Sequence, residues 1–260
     1  MRITIIGSGN VATHLAAAFK NAGHRIAQIY SRNLHNAALL AYHVGAEAVD
    51  NPQDISPDTD VFILAIKDDA IASFVPHLSR HNKLIVHTSG AVDLQEVLNF
   101  TPNAGVFYPL QTFSKTKEVN FREVPLCIEG VNETITQTLE GLARDISNNV
   151  YRVNSAQRKV LHLAAVFACN FTNHLYSIGE QLLAGSDMSF DMMRPLIAET
   201  ADKIREHSPV SVQTGPAVRN DEQTMRSHLQ MLNDEPNLQE IYTRLSQDII
   251  KNQNSRNGDK

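Results

Sequence analysis

This chain is predicted to be an α/β protein: a doubly wound, mostly parallel Rossmann sheet followed by an all-α C-terminal region. Three observations predict it. Up to about residue 153, short β-branched runs alternate with stretches of helical periodicity. A glycine-rich turn joins the first strand to the first helix, and after Asn154 strands give way to long helical segments.

Strands are predicted at residues 3–6, 25–30, 47–49, 61–66, 83–87, 105–108, 126–129 and 150–153. Several, such as VFILAI and KLIVH, are almost continuously apolar, as strands covered on both faces must be. Crossover helices are expected to begin near Asn10, Leu34, Asp69, Asp93 and Glu133. Beyond Asn154, helices are predicted over residues 155–184, 191–207, 220–232 and 237–252. They are separated by GSD at 185–187, by SPVSVQTGP and by NDEP. The expected division is therefore a nucleotide-binding domain at 1–153, a helical substrate and dimerisation domain at 154–252 and a loose tail at 253–260.

Composition narrows the classes of function. With 23 Lys and Arg against 28 Asp and Glu in 260 residues, the net charge of −5 and the lack of a basic block argue against a nucleic-acid partner. The longest apolar stretch, Leu163 to Cys169, is far too short for a membrane helix, which needs ~20 residues, and no leader pattern opens the chain. Two distant cysteines, Cys127 and Cys169, fit a reducing, cytoplasmic setting and form no metal motif. His77 and His81 lack a third ligand, so no metal is expected.

Within IIGSGNVATHLAAAF, Gly7, Gly9 and Ala12 form a GxGxxA pattern between a predicted strand and a predicted helix. Gly7 permits the tight turn, Gly9 the close approach of a pyrophosphate, and Ala12 close packing of helix on strand, while the helix N-terminus offers free N–H groups. An NAD site carries an acid at the end of the second strand. Here that strand ends Tyr30-Ser31-Arg32-Asn33, and no Asp or Glu occurs before Glu47 while four basic residues do. Ser31 and Arg32 suit a 2′-phosphate, which makes NADP the expected cofactor.

Ligands of open parallel sheets sit beyond the carboxyl ends of the strands. Ala65, Ile66 and Lys67 end the fourth strand and are expected at the cofactor; Asp69 is expected to cap the next helix. Ser89 and Gly90 follow the fifth strand, and Gln111 follows the sixth. On the long helix, a count of ~100° per residue places His162, Val166, Asn170 and Asn173 on one arc with His174 at its edge, a polar row on an apolar helix. His162, Asn170 and Ser89 are the candidate catalytic residues, and Gln111, His174 and Arg219 candidates for holding a small-molecule substrate. Cys169 reads as a buried structural thiol, and Asn220 or Asp221 as a helix cap.

Together GSGNVA, HTSG, YPLQTF, HLAAVFACNFTNHL and TGPAVRND resemble a bacterial family of NADP oxidoreductases that join a Rossmann-like domain to a helical one. More distantly the layout is similar to pyrroline-carboxylate reductases, β-hydroxyacid dehydrogenases and deazaflavin-dependent NADP reductases. The resemblance implies cofactor contacts at Gly7, Ser8, Gly9, Asn10, Val11, Ser31 and Arg32, and a homodimer through the helical domain. It also exposes departures. The catalytic Lys that β-hydroxyacid dehydrogenases carry one turn before an Asn is replaced by Val166, which leaves His162, spaced like the His of prephenate dehydrogenases, as the acid/base candidate. Tyr108 stands where the family often has His, and Lys67 where it often has Pro. The expected reaction is hydride transfer to or from a small carbonyl or imine; a non-catalytic NADP-responsive regulator and a deazaflavin-coupled NADP reductase are the alternatives.

Overall fold

The computed structural model describes residues 1–258. Eight strands form one sheet: β1 (Arg2–Ile6), β2 (Arg25–Tyr30), β3 (Glu47–Val49), β4 (Val61–Leu64), β5 (Leu84–His87), β6 (Ala104–Pro109), β7 (Leu126–Gly130) and β8 (Val150–Arg152). Their order is β3-β2-β1-β4-β5-β6-β7-β8, the doubly wound arrangement in which the chain reverses its direction of travel after β3. All pairings are parallel except β6 with β7, where Tyr108 lies opposite Cys127 and Val106 opposite Glu129. Every predicted strand is present, to within two residues at each end.

Helices α1 (Asn10–Asn21), α2 (Leu34–Val44), α3 (Asp68–Ser79), α4 (Gln95–Leu98) and α5 (Glu133–Arg144) connect these strands. Local chemistry sets their ends. The side chains of Asn33 and Asn132 accept the N–H groups of Asn36 and Ile135, and α2 stops at Gly45 in the left-handed conformation, φ 71°. Asp69 does not cap α3: the helix starts one residue earlier, so Asp68 and Asp69 both lie in its first turn, where negative charge favours the helix dipole.

Alternation along the strands builds a core on each face of the sheet. Phe19, Ile63, Val86 and Phe107 fill one; Phe62, Ile71, Ile85, Val106, Tyr108 and Cys127 fill the other. His87, two residues past Ile85, points to the second face. So does Leu161 of α6 (Ser155–Ala165), which packs against that core.

The chain divides into two compact units, the first ending at Tyr176 and the second starting at Ser177. The division falls later than the change of style at residue 153 because α6 is tied to the sheet. Asn154 and Gln157 close a reciprocal capping box at its start. After α6 the helix continues as a π-helical stretch, Val166–Phe171, and then as α7 (Thr172–Ala184). The second unit contains α8 (Arg194–Glu206), α9 (Glu222–Met231) and α10 (Pro236–Gly258). Asp221 caps α9 through the Thr224 N–H, and a His228–Tyr242 hydrogen bond of 2.9 Å joins α9 to α10. The segment expected to be loose from residue 253 continues α10 to Gly258, with Ser255 bonded back to the Lys251 carbonyl; residues 259–260 lie outside the described residues.

Candidate active site

A cleft of about 650 Å³ opens beyond the carboxyl ends of β1, β2, β4, β5 and β6, within the range of small-molecule sites. At one end is the glycine turn. Gly7 has φ +127°, and a β-carbon there would run into the backbone carbonyl of Ala65, so only glycine fits where β1 passes β4. A β-carbon on Gly9 would meet no protein atom; that side of the turn faces space a ligand can enter. Helix α1 begins there without a side-chain cap and with no acid in its first turn, leaving its first N–H groups free. These features fit a pyrophosphate.

The ribose end is built by Ser8, Ser31 and Arg32. Ser8 donates a hydrogen bond to Ser31 across 3.0 Å, and Arg32 is exposed at the cleft margin. Burial raises the Tyr30 phenol above its ordinary pKa, with Arg32 opposing and Asp50 adding to the shift. Asp50 was invisible to a reading that sought an acid after the second strand, because it follows β3. Phe74, whose ring centroid lies 4.8 Å from that of Tyr30, adds an apolar wall from α3, and Ser73 lines the cleft beside it. Val11, Ala65, Ile66 and Lys67 line the cleft as expected. Asn10 also does so, although its side chain is committed to the Phe113 carbonyl at 2.8 Å.

At the other end lie Thr88, Ser89, Gly90, Tyr108 and His162. The Ser89 hydroxyl oxygen accepts the N–H groups of Ala91 and Val92, both at 3.0 Å, and thereby shapes the turn; only its O–H remains for a ligand. Beneath it, His87 is fully buried and accepts the Ser89 N–H at Nδ1. Burial first, and then Arg158, push the pKa of His87 down to about 3, so it is neutral. His162 reaches the cleft from α6. Its ring lies against the α-carbon of Gly90, where a β-carbon would sit only 2.5 Å from Nδ1. Nδ1 is 3.1 Å from the Tyr108 hydroxyl; Nε2 has no partner among the described residues and is not sealed from solvent.

A buried knot places α6. Arg158, 0% exposed, bonds the Glu129 carboxylate at 2.6 Å and the Val92 carbonyl, while Ser155 donates to Glu129 at 2.7 Å and accepts the Leu94 N–H. Residues of β7, of the turn after β5 and of α6 thus meet at one ion pair, one helical turn before His162. The only sequence signal for it is a charged residue four before His162 on the same helical face.

Other candidates lie elsewhere. Asn170, Asn173 and His174 are exposed and do not line the cleft, and Cys169 is exposed rather than buried. Asn170 stands eight residues beyond His162, about 12 Å further along the helix, so a shared arc does not bring the two to one site. Gln111 is exposed and spends its carbonyl on the Thr112 N–H at 2.8 Å. Arg219 is exposed in the second unit.

Residues 2–90 match the family model described as NADP oxidoreductase, coenzyme F420-dependent, and residues 124–249 match a domain of unknown function. A crystal structure of a candidate NADP oxidoreductase from Bacteroides fragilis is 43% identical, covers 96% of this chain and 98% of its own, and superposes with a TM-score of 0.92. The imine reductase of Myxococcus stipitatus, in complex with NADP+, shares the fold at 13% identity and TM-score 0.66, covering 96% and 92%. So does the 1-pyrroline-5-carboxylate reductase of Streptococcus pyogenes at 13% and 0.64, covering 96% and 98%. No curated protein matches the chain in sequence.

Proposed function

Because this chain belongs to the family of two-domain NADP oxidoreductases, we propose that it transfers hydride between NADP(H) and a small carbonyl or imine compound. One observation carries the reading. A single cleft has an uncapped helix start and an exposed Arg32 guanidinium, unpaired among the described residues, at one end, and the solvent-accessible Nε2 of His162 at the other. Bound NADPH supplies the hydride. The N–H groups that open α1 hold the pyrophosphate, and Ser8, Ser31 and Arg32 hold the phosphorylated ribose. Gly90 and Ser89 form the floor beneath the reacting group, and His162 hydrogen-bonds the substrate oxygen or nitrogen and exchanges its proton there. Asn170, His174 and Gln111 do not line this cleft, so the role of holding substrate falls first to Ser89 and Thr88.

The test is NADPH oxidation followed by absorbance across a panel of cyclic imines, ketones and aldehydes. Turnover with at least one of them, reduced ~100-fold or more in His162→Ala, is expected; full turnover in that variant removes His162 from the mechanism. A second reading, reduction of a deazaflavin by NADPH, is favoured by the family model matched at residues 2–90. The same assay with that coenzyme as acceptor separates the two. We also propose a homodimer. Val160, Leu163, Phe167, Phe171 and Leu175 are exposed at helical spacing along α6 and its continuation, an apolar stripe that a second copy would cover. Phe167→Asp with Phe171→Asp is expected to halve the mass measured by light scattering. No helix among the described residues is long and apolar enough to cross a membrane.

A further inference from the structure

Sequence reasoning gave His162 a partner only in the substrate. The structure gives it a second one, Tyr108, the next-to-last residue of β6 at the cleft end, with Oη 3.1 Å from Nδ1. The two rings meet edge to face, centroids 6.1 Å apart at 75°. An imidazole offers one donor and one acceptor when neutral, and the bond made at one nitrogen dictates what the other presents.

The direction of this bond follows from what surrounds the phenol. Tyr108 is 8% exposed, and Nδ1 is its one side-chain hydrogen-bond partner among the described residues. If Nδ1–H donated to the phenol, the phenolic O–H would have no protein acceptor among the described residues, and a nearly buried donor left unpaired is costly. If the phenol donates, both groups are satisfied. Burial, with Cys127 adding to it, pushes the phenol pKa up to about 12, so the hydroxyl keeps its proton at any pH the folded chain meets. Gly90, which has no β-carbon, leaves room for the Cβ, Cγ and Nδ1 edge of His162 to lie against it, and the bond to Tyr108 keeps Nδ1 on that side.

We propose that Tyr108 is a positioning residue whose hydroxyl donates to Nδ1 of His162, holds it as the Nε2–H tautomer, and so makes the group facing the cleft a hydrogen-bond donor. The inference rests on the reading of His162 as the residue that meets the substrate. It calls for a substrate whose reacting centre accepts a hydrogen bond, as a C=O or C=N group does. A neutral imidazole donor of this kind polarises its substrate without first being protonated.

The experiment reads the tautomer directly. Protein labelled with 15N at histidine, saturated with NADP+ at about pH 8 so that histidines are neutral, is measured by long-range 1H–15N correlation, and the pattern absent from His162→Gln identifies His162. The expected result is an unprotonated Nδ1 and a protonated Nε2. In Tyr108→Phe, both nitrogens should move toward a common averaged position while NADP+ affinity stays within about twofold, and turnover with an identified substrate should fall about 10-fold, the equivalent of one hydrogen bond. A protonated Nδ1 in the unaltered protein, or an unchanged pattern in Tyr108→Phe, overturns the proposal. Neither result depends on turnover. Full activity in His162→Ala would instead overturn the functional reading and leave the tautomer as measured.

Discussion

The α-carbon of Gly90 lies directly beneath the imidazole of His162, so close that the ring occupies the place a β-carbon would take. These residues are 72 positions apart, in the turn after β5 and in α6. Gly90→Ala must therefore displace His162 or the turn. The expected outcome is a loss of turnover comparable to that of His162→Ala, with a stability cost of about 1–3 kcal/mol by urea titration and NADPH fluorescence titration little changed. Normal turnover in Gly90→Ala would mean that the ring does not need this seat.

Arg158 and Glu129 form a buried ion pair at 2.6 Å. Arg158→Met leaves a largely buried carboxylate without its partner, which is expected to destabilise the fold by about 3–5 kcal/mol. The double variant Arg158→Met, Glu129→Gln removes the orphaned charge and should recover part of that loss. If the single variant is as stable as the parent in urea, the knot does not hold α6 in place.

Arg32 is placed for a phosphate on the ribose. Arg32→Ala is expected to weaken NADP+ binding by roughly 10-fold or more, the worth of one charge-assisted hydrogen bond, and to leave NAD+ binding unchanged or improved. Titration calorimetry with both nucleotides decides it; equal losses for the two would move the role of Arg32 elsewhere.

Acid sensitivity should have one identifiable source in the core. His87 is held to a pKa of about 3 in the fold, while in the unfolded chain it takes up a proton near its ordinary value of 6.5. Between those limits the unfolded state binds more protons, so this residue makes stability fall as pH drops from about 6.5 toward 3, with a slope of up to ~1.4 kcal/mol per pH unit. Above 6.5 it contributes no pH dependence. Stability measured from pH 7 to 4 should fall less steeply in His87→Gln than in the parent, and identical slopes would exclude the assignment.

Most of the first unit was legible. Strands such as VFILAI are apolar end to end because both faces are covered, and Asn33, Asn132 and Asn154 announce helices by the ordinary chemistry of caps. The glycine turn and the place of Arg32 at the cleft margin were legible for a similar reason: each directly follows a strand whose carboxyl end opens on the cleft. At the far end of the cleft His162, Ser89 and Gly90 were legible as candidates, but their meeting with Tyr108 was not. Tyr108, Gly90 and His162 come from three distant segments, and Tyr108 is nearly buried, so nothing in its neighbours distinguishes it from an ordinary core aromatic. Asn170 shares an arc with His162 but does not line the cleft, because an arc carries no information about height: eight residues of helix separate the two by about 12 Å along the axis.

The single antiparallel pairing, β6 with β7, has a consequence for measurement along the chain. Because β7 and β8 run away from the cleft, α6 starts at the far side and climbs back alongside β6, passing Glu129, which is paired with Val106, before it reaches Tyr108. Four helical residues rise about 6.0 Å and two strand residues about 6.6 Å. The step from Arg158 to His162 therefore nearly equals the step from Val106 to Tyr108, and the helix reads against the strand like one ruler laid beside another. With Arg158 locked at the first mark, His162 arrives at the second, and a residue inserted between them would swing the imidazole about 100° around the helix and off the scale.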